Sequence, residues 1–570
     1  MDTFCLVAIN SQYVHTNLAV RLLKNLDEYN NTIVLEHTIN NQMDLVLEDI
    51  VCRNPKCVIF SCYIWNISYV KDLVSSLKKV LEDTIIVLAG PEVCYNYEDI
   101  LKENKHVDII SYGIGEIAFP QLQKGIIAND LSEVEGICFR QDNEIITNPI
   151  LNKYDINTQE FPYYDIEDVK DRILYFETSR GCPFNCSYCM SSIVKGVELM
   201  ELDKIEKNLE TFFKHNVKQV KLVDRTFNYP IKRAIEIIKI MLKLKEKYPD
   251  TRTSFHCELN PLLINNELRD ILSNAPKGFL QFEIGVQSTH HETLQAINRD
   301  VDLKKQHDNI VMLTELDNLT VYVDLIAGLP YETYDIFTKS FNDAYSMNAS
   351  GLHLGFLKVL KGSYMESCAK EHGIEYQYYA PYKILKSKYI SFNNLSHLEK
   401  IESLVDTYYN SGNFKNSIQY SAKLFTTPYD FYNSLMNYLI HKEYFNKPHK
   451  FIYYFDMLYE FLTSVKGTEC DYAKALVLHD YASKSKPRSY PKCAPNAYSD
   501  KKKTIVREFF NNPQNIEKYL PKYIGLSPSS ISRQCNLEIY DYDVTSKSIK
   551  KSETIILYDY SNEAIVQRIN

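Results

Sequence analysis

The sequence predicts an α/β protein in three parts: a doubly wound parallel sheet over residues 1–150, a partial β/α barrel over 173–370, and a mostly helical region over 371–570. Three observations lead there. In the first 150 residues short apolar runs alternate with amphipathic stretches, the pattern of parallel strands joined by crossover helices. The alternation restarts at Ile173 and continues to Val359. Beyond Lys361-Gly362-Ser363 helical spacing takes over.

The chain of 570 residues is long enough for two to four domains. Its 64 basic and 73 acidic side chains leave a net charge of −9, which argues against a general electrostatic hold on nucleic acid. No run is apolar over the length a bilayer span needs. Met1 to Ile9 reads as an opening strand rather than a secretory signal. Fourteen cysteines without such a signal predict a reducing, cytoplasmic setting with free thiols.

In the first part the strand-like runs are Phe4–Ile9, Cys57–Ser61, Thr84–Ala89 and Val107–Ser111, with helical spacing over Leu18–Leu26, Val70–Leu81 and Ala118–Gly125. Ligands of such sheets bind beyond the carboxyl ends of the strands. There the sequence places Asn10–Thr16, Ser61–Asn66, Gly90–Glu92 and Gly113–Glu116. Small residues at strand ends let a flat or polyphosphate-like ligand approach the backbone. By itself this marks a flavodoxin-like cofactor or nucleotide domain. Residues 151–172, polar and interrupted by Phe161-Pro162-Tyr163-Tyr164, read as a linker.

The second part has strand-like runs at Ile173–Phe176, Val217–Val223, Thr253–Cys257, Phe279–Ile284, Thr320–Ala327 and Leu352–Val359. Helical spacing covers Ile231–Glu246, Leu262–Ser273 and Leu303–Leu316. Barrel chemistry gathers at the carboxyl ends of strands, here Asp224–Asn228, Glu258–Pro261, Glu283–Ser288 and Asp324–Pro330. The first strand runs into Glu177-Thr178-Ser179-Arg180-Gly181-Cys182-Pro183-Phe184-Asn185-Cys186-Ser187-Tyr188-Cys189. Thiolates hold iron–sulfur clusters, and a four-iron cube has four corners; a loop with three cysteines leaves one iron open. Gly181 and Pro183 help the loop bend back so that the sulfurs converge. A structural zinc would want a fourth Cys or His nearby, and the next cysteine, Cys257, is far along the chain. Three unrelated buried thiols are the remaining reading.

The loop from Glu177 to Cys189 resembles the cluster loop of the radical S-adenosylmethionine (SAM) enzymes, in which an aromatic residue, here Tyr188, precedes the third cysteine. The resemblance implies that Cys182, Cys186 and Cys189 hold a catalytic [4Fe–4S] cluster whose open iron takes SAM. The four strand ends resemble core segments of that family in the same order. They imply Arg225, Glu258 and Gln287 for the polar groups of SAM, and Gly328 for backbone contact with adenine. Ile59–Asn66, Ala89–Glu92 and Tyr112–Glu116 resemble the cobalamin-binding domain of the B12-dependent radical SAM enzymes. This places Ser61, Gly90, Glu92, Gly113, Gly115 and Glu116 at the nucleotide tail and corrin edge. The loop Ser11–Asn17 lacks the Asp and Gly of the Asp-x-His-x-x-Gly cobalt-ligand loop. His15 is then either a cobalt ligand or a local hydrogen-bonding group, and the resemblance implies a base-off cobalamin with a weak lower ligand or none.

The function so implied is cleavage of SAM to a 5′-deoxyadenosyl radical and cobalamin-dependent methylation of an unactivated carbon. The substrate would be a small molecule or peptide, and the electron donor a protein such as flavodoxin or ferredoxin. The same cofactors also serve rearrangement, cyclisation or oxidation without methyl transfer. A non-catalytic cobalamin sensor would not need the intact cysteine loop. A methylthiolating enzyme would want a second cluster domain and a basic RNA-binding tail. In the C-terminal third, helices are expected at Glu366–Glu371, Tyr382–Phe392, Ser396–Asn410, Asn413–Leu424, Phe431–Leu439 and through Phe451–Tyr472. Lys484–Lys503 reads as a solvated basic face, and Leu537–Tyr542 with Ile555–Tyr560 as a hairpin. These runs resemble the extension of an uncharacterised group of cobalamin-domain radical SAM proteins.

Overall fold

The computed structural model describes residues 2–569 apart from 142–143, 194, 466–467, 495–498, 547–548 and 562–564. The chain forms two compact units: Met1–Phe337, Met347–Ala349 and Gly355–Phe392 in the first, Thr338–Ser346, Ser350–Leu354 and Asn393–Asn570 in the second.

The first unit opens with β1 (Phe4–Asn10), α1 (Leu18–Asn25), β2 (Thr32–Thr38), α2 (Met43–Val51), β3 (Cys57–Ser61) and α3 (Ile67–Val80). It continues through β4 (Ile85–Ala89), α4 (Tyr97–Glu103), β5 (Ile109–Ser111), α5 (Gly115–Ala128), β6 (Ile137–Gln141) and β7 (Glu144–Thr147). The sheet order is β2-β1-β3-β4-β5-β6-β7, parallel through β5 and antiparallel at β6 and β7. Every residue of β1 and β3 is buried, as expected for central strands covered by helices on both faces. The order 2-1-3-4-5 is the flavodoxin-like one, and its switch point lies between β1 and β3. Periodicity alone misses β2, an edge strand whose apolar run is cut by Glu36 and His37, and the β6–β7 hairpin with its polar Arg140, Gln141 and Glu144.

After the short α6 (Ile166–Val169) come β8 (Ile173–Phe176), β9 (Ser179–Cys182), β10 (Gly196–Leu199), α7 (Leu202–Lys214), β11 (Gln219–Leu222), α8 (Ile231–Lys247), β12 (Ser254–Glu258) and α9 (Asn266–Ser273). Then follow β13 (Leu280–Gln287), α10 (His291–Ala296), α11 (Leu303–Thr314), β14 (Thr320–Ala327), α12 (Tyr334–Ser346) and β15 (Gly351–Phe356). The six-stranded order is β15-β14-β13-β12-β11-β8, with β8 to β14 parallel. Residues of β13 and β14 alternate: Phe282, Ile284, Val321 and Val323 are buried, while Gln281, Glu283, Tyr322 and Asp324 are half-buried, the period-2 signature of a barrel wall.

Three short elements close this unit: α13 (Tyr364–Cys368), β16 (Glu375–Tyr376) and β17 (Ile384–Lys386). The helix expected over Tyr382–Phe392 does not form. Pro381 drives the preceding residue out of helical geometry, Tyr382 takes a left-handed φ of 55°, and Ile384–Lys386 pairs antiparallel with Glu375–Tyr376.

The second unit contains α14 (Phe392–Val405), α15 (Lys415–Ser421), α16 (Pro428–Ile440), α17 (Phe451–Ser464), α18 (Thr468–Lys484), α19 (Asp500–Asn511), α20 (Pro513–Tyr519) and α21 (Pro528–Gln534). It ends on an antiparallel sheet of β18 (Cys535–Tyr542), β19 (Lys551–Asp559) and β20 (Ile565–Arg568). The expected hairpin is present and gains a third strand. Within the basic stretch Lys484–Lys503, residues 495–498 lie outside the described residues. Lys501 and Lys503 are exposed, but Lys502 turns inward, with Nζ 2.7 Å from each carboxylate oxygen of buried Glu538. That face of α19 is therefore internal, not solvated.

Candidate active site

The cysteine loop leaves β8 at its carboxyl end. Gly181 has φ 98°, and a Cβ there would lie 2.2 Å from the Gly196 carbonyl of the paired strand β10, so only glycine fits. Below it, Asp224 is fully enclosed and accepts from Thr178 N at 2.9 Å, Thr178 Oγ1 at 2.5 Å and Ser179 Oγ at 2.7 Å. Farther along, Ser187 N donates to Ile297 O at 3.1 Å, and Met365 N donates to Ser187 O at 2.8 Å. The three thiols remain half-buried. Burial pushes the Cys186 thiol up, Arg299 pulls it down, and Cys189 and Cys182 lie near enough to act on its charge.

Three half-buried thiols on one loop are the donor set of a four-iron cluster that leaves one corner open. Thr226 Oγ1 lies 3.7 Å from Cys182 Sγ, and Arg299 Nη1 lies 3.6 Å from Cys186 Sγ and 3.4 Å from the Tyr188 hydroxyl.

Arg225, Glu258, Gln287 and Gly328 follow or end β11, β12, β13 and β14, neighbouring strands, and so share one edge of the barrel. Burial pushes the Glu258 carboxyl up to about 7; Arg225 eases this, and Glu283 and Asp324 add to it. Glu283 itself is held down to about 2 by its hydrogen bond to His256 and by the Lys221 ammonium 3.0 Å away. Gln287 takes a left-handed φ of 69° at a register shift in β13, and its Oε1 is buried with no partner in the protein. That orphaned acceptor is available to a donor such as an amino group. Gly328 has φ 91°.

A raised carboxyl pKa costs stability above it. Wild-type stability is complete below the ordinary value near 4.5 and falls as pH rises through about 7. Glu258→Gln in the apo-protein is therefore expected to gain roughly 3 kcal/mol at pH 8 and nothing below pH 4. Denaturation midpoints at the two pH values test this; parallel behaviour of variant and wild type would refute it.

On the cobalamin-domain side, Ser61, Gly90 and Gly113 lie at the carboxyl ends of β3, β4 and β5. The glycines answer first to the protein's own packing, backbone at Gly90 and Gly113 and a side chain at Gly115. A Cβ at Gly90 (φ 107°) would lie 2.6 Å from Cys62 O, one at Gly113 2.9 Å from Gly136 Cα, and one at Gly115 3.3 Å from Leu23. Beyond β3, Tyr63 stacks on Trp65 at 4.3 Å, and Trp65 is 46% exposed beside the switch point. A flat exposed ring at that place fits a flat macrocycle. His15 does not point free: its Nδ1 is 2.8 Å from the Tyr175 hydroxyl, and burial with nearby Lys221 and Arg172 lowers its pKa. Burial raises the Glu92 carboxyl, whose Oε1 accepts from the Tyr382 hydroxyl.

Glu116 joins the two halves. At the first turn of α5, it lies 2.6 Å from Arg180 Nη2, and Arg180 also pairs with Glu177 and covers Tyr154 with ring and cation 5.3 Å apart. Arg225 is close enough to act on the Tyr63 hydroxyl. Sequence reading quoted Glu177, Arg180 and Asp224 within their segments without giving them a role, and did not name Arg299. The first two flank the cysteine loop and could have been read as a pair at i, i+3; nothing local marks Arg299.

Three family profiles match the chain. The B12 binding domain profile matches residues 5–123, the Radical SAM superfamily profile residues 176–344, and a profile described as a protein of unknown function, DUF4080, residues 370–558. The cobalamin-dependent radical SAM methyltransferase TokK of Streptomyces tokunonensis is 24% identical over 323 residues, 52% of this chain and 46% of TokK. The anaerobic magnesium-protoporphyrin IX monomethyl ester cyclase of Cereibacter sphaeroides is 23% identical over 285 residues, 47% of this chain and 45% of the cyclase. The chain thus matches somewhat under half the length of each relative. The cobalamin-dependent SAM radical enzyme OxsB, solved with aqua-cobalamin and SAM, shares the fold with a TM-score of 0.57 at 14% identity, over 92% of this chain and 82% of OxsB. With a B12 binding domain ahead of a radical SAM domain, the chain belongs to the cobalamin-dependent radical SAM family, whose cofactors are a [4Fe–4S] cluster, SAM and cobalamin.

Proposed function

We propose that the protein is a cobalamin-dependent radical SAM methyltransferase that methylates an unactivated carbon of a small molecule or peptide. Flavodoxin or ferredoxin would supply electrons, in a cytoplasmic setting. The observation that carries the reading is the Glu116–Arg180–Glu177 bridge, which ties the strand ends of the cobalamin domain to the residue two places before Cys182. When bound, the cluster, SAM and cobalamin supply a reductive cleavage of SAM and a transferable methyl group. The residues of this chain do the rest. Cys182, Cys186 and Cys189 hold the cluster. Arg225 and Glu258, whose carboxyl burial holds above its ordinary range, bind the polar groups of SAM, Gln287 Oε1 accepts from it, and Gly328 allows backbone contact. Ser61, Gly90, Glu92, Gly113 and Gly115 line the cobalamin side.

The similarity to the Cereibacter cyclase favours a second reading, cyclisation or oxidation without methyl transfer. One experiment separates them without the substrate. Protein purified anaerobically and reconstituted with iron, sulfide and hydroxocobalamin is incubated with SAM bearing a trideuterated methyl group and a reductant. Bound cobalamin is expected to acquire the labelled methyl, and the SAM that donates it to leave as S-adenosylhomocysteine. Unlabelled cobalamin with accumulating 5′-deoxyadenosine would overturn methyl transfer in favour of the second reading.

A further inference from the structure

We infer that Arg299 is a positioning residue of the cysteine loop that sets the reduction potential of its cluster. Two residues beyond α10 (His291–Ala296), Asn298 takes a left-handed φ of 56°, and Arg299 N closes the turn on Leu294 O at 2.8 Å. This aims the guanidinium between two functional segments. Nη1 lies 3.6 Å from Cys186 Sγ and 3.4 Å from the Tyr188 hydroxyl, and Nη2 donates to Gly285 O at 2.7 Å. Gly285 is where the register of β13 shifts ahead of Gln287. One side chain thus links the sulfur of the middle cysteine to the strand end proposed to meet SAM. The Nε atom is buried with no partner in the protein, so the group is held by the contacts at its fork.

The three sulfurs are not treated alike. Cys182 faces a neutral hydroxyl, that of Thr226, at 3.7 Å, whereas Cys186 faces a permanent cation. Hydrogen bonds to the sulfurs and local charge are main determinants of a cluster's potential. A fixed positive charge beside one thiolate favours the form carrying the additional electron and so raises the potential. The electron that enters comes from the external donor and leaves into bound SAM; Arg299 neither gains nor loses a proton.

The inference rests on the cluster reading above, and its test uses neither SAM nor substrate. Wild type, Arg299→Met and Arg299→Lys are reconstituted anaerobically, and the cluster midpoint is read by paramagnetic resonance during a reductive titration. Arg299→Met is expected to move the midpoint negative, with a tenfold lower reduced-to-oxidised ratio at the wild-type midpoint, about 59 mV for a one-electron couple. Arg299→Lys, which keeps the charge, should recover most of that shift. A Met variant within threefold of wild type overturns the inference, as do equal shifts in Met and Lys, which would mean packing alone. Natively folded variants that take up no iron also overturn it, by making Arg299 a retention contact. Wild type that takes up no iron would instead remove the cluster reading itself.

Discussion

Replacing Cys182, Cys186 and Cys189 together by alanine is expected to abolish iron uptake while leaving the fold in place. The thiols are half-buried at a loop, not in a core, so their loss costs little packing. The loop's shape is held elsewhere, by the Asp224 carboxylate beneath Thr178 and Ser179 and by the Ile297 and Met365 contacts to Ser187. Reductive formation of 5′-deoxyadenosine from SAM should fall about a thousandfold or more, roughly 4 kcal/mol of barrier. Iron content, absorbance and 5′-deoxyadenosine yield after anaerobic reconstitution check it. Iron and SAM cleavage surviving in the triple variant would dismantle the site proposed here.

Arg21→Met should produce the largest change in stability. Arg21 lies on α1 with only 2% of its side chain exposed, and its guanidinium pairs with Glu36 Oε2 at 3.0 Å and with Asp165 of the connecting stretch. Arg172, beside β8, reaches the same Glu36 oxygen at 2.8 Å. Removing one partner of a buried set strands the others, at a cost of about 3–5 kcal/mol. The pH dependence has a definite sign. Burial alone would raise the Glu36 carboxyl, but Arg21 and Arg172 hold it below its ordinary value. Its ionised form therefore contributes stability that is present above about pH 4.5 and lost as pH falls through the lowered value. The gap between wild type and Arg21→Met should be widest near pH 7 and narrow in acid. Urea unfolding at pH 7 and pH 3.5 measures both; a loss below about 1 kcal/mol at pH 7 would count against the pairing.

Much of the architecture was legible because it depends on local pattern. β1, β3, β12 and β14 announce themselves by apolar runs or strict alternation, and β14 has the same bounds as the run read from sequence, Thr320–Ala327. β2 was not legible because an edge strand buries little, and its Glu36 is reserved for partners at Arg21 and Arg172. Tyr382–Phe392 looked helical by spacing but became a turn and a strand, since Pro381 and the bond from Tyr382 to Glu92 outweigh propensity. Lys502 looked solvated until a partner, Glu538, appeared 36 residues away.

The sequence by itself determined the family, through three cysteines at fixed spacing and glycine- and acid-bearing ends on strands that ligands favour. Those features are contiguous in the chain, and their meaning does not depend on what folds against them. Only the tertiary structure decided which charges meet: Arg299 with Cys186, Arg180 with Glu116, Tyr175 with His15. Such pairings join residues 64 to 160 positions apart. They arise from how strands and helices pack, which no local periodicity encodes.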